Sequence, residues 1–333
     1  MNTEISRPAG RASTDSPATP ALSAMRESLR LFRRDKRAMI SLSLLLFFVF
    51  VALFGPLIYQ HIGAPYQSAL NGVVPATLYH NPYHQELENQ NEFISAQYWL
   101  GTDGLGRDLL ARLMQGMLIS LTVAVMVEVI VLGLGVTIGV LAGYYGGWVD
   151  HILARLIDFT FAFPSFLFVI LLASIFGPWA DTHLRTIPLV GSNGDARLMI
   201  VSLAIAVTGW PLMARLVRGQ ALQIKEQPFV EAARVCGTSN RRIIRRHILP
   251  HLLNIIVLTA TLNLGAIVVG EAGISLLGLG VQPPGSSLGL MIVEGLNVID
   301  THSWEVLLPS LVLTSMVLAL SYVGDGLQKA FNP

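Results

Sequence analysis

The sequence predicts an all-α polytopic membrane protein with about six transmembrane helices and both termini cytoplasmic. Three observations carry that prediction. Hydrophobic residues make up 53% of the 333-residue chain and charged residues only 13%, where a soluble domain carries about 25% charged residues. Six apolar segments, at about 38–58, 117–142, 156–176, 198–214, 252–270 and 306–323, suit a hydrocarbon core that needs roughly 20 helical residues. Lys and Arg, finally, are spread very unevenly between the gaps.

Taken in order, residues 1–25 are mostly Ser, Thr, Pro and Ala and are expected to be a disordered cytoplasmic tail. Region 26–75 holds Arg26, Arg30, Arg33, Arg34, Lys36 and Arg37, then the uncharged span "AMISLSLLLFFVFVALFGPLI". That run is too long for a signal-peptide core and has no small-x-small site directly behind it, so it reads as a retained span. Residues 76–115 form an extracytoplasmic loop and the entry to span two, and positions 59–106 contain no Lys or Arg. The transmembrane domain proper covers 116–325, followed by a tail at 326–333. Its loop at 215–251 holds eight basic residues, whereas the gap between spans five and six has none. The positive-inside rule therefore puts both termini and the 215–251 loop in the cytoplasm.

Polar and small residues within the spans narrow the packing. Gly135, Gly139 and Gly143 form two overlapping GxxxG units, a spacing that lets helix backbones meet closely, either within the bundle or across to a partner subunit. Glu128 lies near the middle of span two and should face protein or water. It reads as a substrate or proton contact, or as a structural acid that is hydrogen-bonded or kept neutral. Pro164 is expected to kink span three, for packing or for gating. Asn254 and Asn263 lie nearly opposite each other on a helical wheel and define no single pathway-facing stripe.

The cytoplasmic stretch "FVEAARVCGTSNRRIIRRHILPH", 229–251, cannot be buried in lipid. Gly237 divides it into two short helices. In the first, Phe229, Ala232, Ala233 and Cys236 form one shallow face that a groove on another protein could close over; Pro228 and Glu231 suit its first turn. In the second, capped by Thr238 or Ser239, Arg241, Arg242, Arg245 and Arg246 occupy one arc. Ile243, Ile244, His247 and Ile248 occupy the other. Pro250 marks the entry to span five. The basic arc by itself would also suit membrane lipid phosphates.

Several chemistries are disfavoured. One cysteine, Cys236, excludes a disulfide framework and a multi-Cys metal site. No GxxxxGK[ST] phosphate loop or HExxH occurs, and "GISLLG" lacks the G-x-S-x-G nucleophile spacing, so the chain is expected to bind no cofactor and to catalyse no reaction itself. His80 and His84 in "HNPYH" raise the question of a metal, but Pro82 works against one helical face and no third ligand can be named. A secondary transporter would want broken helices, internal repeats or several midplane charges. Nothing in the charge distribution points to nucleic acid.

Glu231-Ala232-Ala233, Gly237 and Ile248-Leu249-Pro250 resemble the EAA loop of the membrane subunits of ATP-binding-cassette importers. "WLGTDGLGRDLLARLMQGMLISL", "LAGYYGGWVD", "ARLVRGQ", "GISLLGLGVQPPGSSLG" and "GDGLQKAFNP" extend the similarity to the dipeptide/oligopeptide/nickel permease branch over most of residues 26–333. Leu288 stands where the branch has an aromatic residue, and Glu128 where it is usually apolar. The resemblance implies a type I importer membrane domain forming half of a translocation pathway. It implies a second homologous permease subunit, ABC ATPase subunits that bind ATP with magnesium, and an extracytoplasmic substrate-binding protein. Short peptides would be the cargo, with nickel or another small solute as the alternative. The 229–250 loop would couple to the ATPase, with Glu231 orienting the docked helix. An exporter would commonly be fused to its ATPase and lack such a loop.

Overall fold

The computed structural model describes residues 21–68, 72–184 and 196–331. Six helices in it are long and apolar enough to cross a membrane. They are α2 (Lys36–Tyr59), α4 (Leu109–Tyr145), α6 (Ser165–His183), α7 (Ala196–Ile224), α10 (Leu249–Leu276) and α12 (Trp304–Phe331). Shorter elements connect them. At the cytoplasmic end lie α1 (Ala21–Arg34), α5 (Gly147–Phe161), α8 (Pro228–Val235) and α9 (Asn240–Ile243). At the outer end lie the antiparallel hairpin β1–β2 (Tyr66–Ser68, Gly72–Val74), α3 (Ala76–Tyr79) and α11 (Leu288–Leu296).

The observed boundaries correct the expected ones in four places. Helix α1 begins at Ala21, inside the stretch expected to be disordered, while residues 1–20 lie outside the described residues. Its Phe32 is buried with Ala38, Val323 and Ala330, so packing on α12 orders it. Pro164 does not kink a span. It is the N-cap residue of α6, and the expected third span divides there into α5 and α6. A proline ring clashes with the carbonyl four residues back, and starting a helix beside the ring removes that clash. Span four runs on to Ile224 with Pro211 inside it. Arg215 and Arg218 are therefore helical, paired with Asp158 and Asp150 of α5. The Arg218 guanidinium holds the Asp150 carboxyl below the usual carboxylate range.

Pro250 gives the fourth correction. The basic segment is not a separate helix ending there: α9 passes through a π-helical turn, Ile244–Ile248, directly into α10. The wider turn, with Leu249 N–H bonded to the Ile244 carbonyl, makes room for Pro250 in the next turn without a break.

Lipid offers apolar side chains no reason to leave it, so close backbone contact must hold the helices together. Gly135, Gly139 and Gly143 of α4 provide it within the bundle, against α7. A Cβ on Gly135 would lie 2.7 Å from the Met213 Cβ; on Gly139, 2.6 Å from the Ala214 carbonyl oxygen; on Gly143, 2.6 Å from the Ala221 Cβ. Gly139→Leu is thus expected to force α4 and α7 apart, at a cost of at least about 1–3 kcal/mol. Thermal unfolding of the purified chain should show a lowered midpoint. Gly133→Leu, on the same helix where a Cβ meets nothing within 4 Å, should leave it unchanged.

Helices α2 and α6 are the least enclosed, with Phe47, Phe50, Leu53, Phe166, Leu167 and Leu171 open to the outside. Such surface is stable only against lipid or another apolar protein.

Candidate functional site

The 229–251 segment sits at the cytoplasmic end between α7 and the body of α10. Helix α8 starts with Pro228 in its first turn, as a proline without an N–H permits. It ends at Gly237, whose φ of +75° turns the chain left-handed. The Thr238 N–H reaches back to the Ala233 carbonyl and closes that turn. Ser239 is the N-cap of α9 by position, but its side chain makes no capping bond.

The face expected to offer Phe229, Ala232, Ala233 and Cys236 together is divided. Ala232 and Cys236 are exposed. Ala233 is partly buried against the main core, and the Phe229 ring stacks on His251 at 4.8 Å. Phe229 thus braces α8 against α10 as much as it faces outward. The side chain that anchors α8 is Val230, fully buried in the cluster with Tyr144, Ala221, Ile243 and Ile248. One valine between a phenylalanine and a glutamate in so short a helix gave no periodicity from which to find it. The Tyr144 hydroxyl donates to Asn240 Oδ1 at 2.8 Å, tying the end of α4 to the segment. Glu231 is exposed and, with Tyr144, Lys225, Arg234 and Asn240, lines an open cleft of about 560 Å³.

The second half follows the expected amphipathic pattern. Arg241, Arg242, Arg245 and Arg246 are exposed, whereas Ile243 and Ile248 are fully buried. Leu249 and Pro250 are half-buried where α10 begins. The chain runs from α9 through the π-helical turn into α10 without a break.

Of the expected intramembrane residues, two come together. The Asn263 Nδ2 donates to Glu128 Oε2 at 2.6 Å, joining α10 to α4. Asn254 is exposed elsewhere on α10 and takes no part. Glu271 went unrecognised because it falls one residue beyond the expected end of span five. It is buried, accepting from Ser120 of α4 at 2.9 Å and from Ser275 at 2.8 Å.

An outer ionic cluster was missed entirely. Arg107 Nε and Arg112 Nη1 lie 2.7 and 2.6 Å from Asp103 Oδ2; Arg107 Nη2 and Arg112 Nη2 lie 3.0 and 2.6 Å from Glu294 Oε2. Both arginines and Asp103 are buried. The cluster ties together the loop before α4, the first turn of α4 and α11. Asp108 next to it caps α4 through Leu110 N–H at 2.8 Å, and its other oxygen receives Tyr59 and His80. His80 is therefore engaged on both ring nitrogens, the second at 3.0 Å from the Ile62 carbonyl. His84 lies instead beside Glu86, at 3.5 Å.

The family model described as a binding-protein-dependent transport system inner membrane component matches residues 135–333. The dipeptide transport system permease protein DppC of Bacillus subtilis is 36% identical across 96% of this chain and 88% of its own length. The chain belongs to this family of transport permeases. A second model, the N-terminal transmembrane domain of oligopeptide transport permease C, matches residues 23–91 of the permease. The oligopeptide transport system permease protein OppC of Mycobacterium bovis is 36% identical over 71% of the permease and 76% of itself. A solved structure of the MetNI methionine ABC transporter in inward-facing conformations aligns with a TM-score of 0.51 at 21% identity. It covers 66% of the permease and 96% of the matched chain. The permease is thus a multi-pass inner-membrane transport subunit, with the importer membrane-domain fold that its motifs imply.

Proposed function

We propose that this permease forms half of the translocation pathway of an ATP-driven importer of short peptides. The observation that carries the reading is α8, a short helix presented outside the bilayer on a segment continuous with span five. The peptide cargo rests on the dipeptide permease relative, alike over nearly the whole chain. A second homologous permease subunit covers the open apolar faces and completes the pathway. ABC ATPase subunits bind ATP with magnesium and dock at the cytoplasmic end. An extracytoplasmic binding protein delivers the peptide at the outer mouth.

In this reading Ala232 and Cys236 meet the ATPase groove, Glu231 points into the cleft beside it, and Val230 and Phe229 keep α8 rigid on the bundle. Closure of the ATPase pair moves α8 as a body and biases the bundle between inward and outward states. The exposed arc of Arg241, Arg242, Arg245 and Arg246 sits at headgroup height and holds phosphates of the cytoplasmic leaflet. Residues 26–75 and 76–115 serve as peripheral span and outer loop around the transporting domain at 116–325.

Purification of the tagged chain from its own membranes in mild detergent tests the assembly. A second permease-like chain and an ATPase should accompany it and be lost on deleting 229–248. Recovery of the chain alone, still moving solute without ATP after reconstitution, would refute the reading.

A further inference from the structure

Helices α4 and α10 are antiparallel, and most of their contact is apolar, Val123, Val127 and Val131 packing in one core with Ile256, Ile267 and Val268. Sliding such a contact in lipid exchanges one set of van der Waals neighbours for another, so it fixes register poorly. Two polar rungs fix it. Glu128 on α4 pairs with Asn263 on α10, and Ser120 on α4 pairs with Glu271 on α10. Each helix thus contributes one carboxylate and one neutral partner, at the same eight-residue spacing, about 12 Å along the axis.

The rungs differ in strength. Both oxygens of Glu271 accept a hydroxyl, from Ser120 and from Ser275, and Ser287 at the start of α11 bonds to Ser275 in turn. Glu128 has Asn263 on one oxygen only; its Oε1 is buried with no donor among the described residues. A carboxylate this incompletely satisfied at mid-span is costly to hold, so this rung is the one that opens first. The outer rung lies closer to the mouth and the inner rung closer to the coupling segment.

From this asymmetry we infer that Glu128 and Asn263 form a releasable latch, with Ser120–Glu271 as its pivot. When the cytoplasmic end of α10 is displaced, the helix tilts about Glu271 and the latch opens. While shut, it holds α10 on α4, which the glycine seam fixes to α7. The pair are positioning residues for coupling: they make α10 motion depend on force applied at α8. The inference rests on reading the chain as an ATP-driven importer subunit.

The test uses the whole complex, with second permease, ATPase and binding protein, in proteoliposomes. The readout is radiolabelled short peptide taken up per ATP hydrolysed, a ratio that the amount of folded complex does not move. Glu128→Leu and Asn263→Leu should each lower it on the order of tenfold, with hydrolysis continuing, the shift expected from losing one interhelical hydrogen bond. The exchange Glu128→Asn with Asn263→Glu should restore it to within about threefold of wild type, as should Glu128→Gln, which keeps an acceptor for Asn263. An unchanged ratio in the single variants overturns the latch. So does an exchange no better than Glu128→Asn or Asn263→Glu alone, or a Glu128→Gln whose ratio falls about tenfold below wild type; these last two readings remain available if the leucine variants do not assemble. Failure of the wild-type complex to take up peptide with ATP would strike the importer reading instead.

Discussion

Gly237→Pro is expected to leave the six-span chain in the membrane and to abolish ATP-driven uptake. The residue sits at φ +75°, and proline is fixed near −65°. The substitution therefore cannot keep the turn between α8 and α9. It also removes the N–H that bonds to the Arg234 carbonyl. Nothing packs within 4 Å of a Cβ at this position, so only backbone conformation is at stake. Gly237→Ala should be correspondingly mild, costing about 1–2 kcal/mol locally. Membrane insertion should survive both changes, because the spans do not depend on this turn. The deciding comparison is peptide uptake per ATP hydrolysed for the two variants at equal amounts of assembled complex. Wild-type uptake by the proline variant would show that the orientation of α8 does not matter for coupling.

Asp103→Ala should be the most destabilising single change at the outer end. It strips the carboxylate shared by two buried guanidiniums and leaves them ion-paired with Glu294. Removing one member of a buried ionic set costs about 3–5 kcal/mol, because the opposite charge stays behind without water. Asp158→Ala provides the contrast. Its pairing with Arg215 is about half exposed on both sides, and such pairs contribute about 1 kcal/mol or less. Thermal unfolding in detergent should therefore show a large fall in midpoint for the first variant and almost none for the second. Equal falls would mean that the outer cluster carries no more of the stability than a surface ion pair.

The sequence by itself determined everything that depends on the solvent and on short-range periodicity. A chain with long apolar runs and basic residues concentrated before span one and in the 215–251 gap has one economical arrangement in a bilayer, so the number of spans and their direction were legible. So was the amphipathic split of 241–248, because the 3.6-residue repeat forces arginines and isoleucines onto opposite arcs wherever the helix lies. The GxxxG run announced a close helix contact, and Gly237 announced a turn.

What the tertiary structure decided depends on which helix lies beside which. That α4 packs its glycines on α7, and that Glu128 meets Asn263 and not Asn254, follows from rotation and register across residues 135 positions apart. Val230 became an anchor only because Tyr144, Ala221 and Ile243 arrive from three other segments. The outer charges illustrate the same limit. Asp103, Arg107 and Arg112 look like ordinary loop and helix-start residues until Glu294, far along the chain, is brought beside them. Hydropathy ranks each residue by its own preference for water; a buried charge is stable only through partners, and only the fold supplies those.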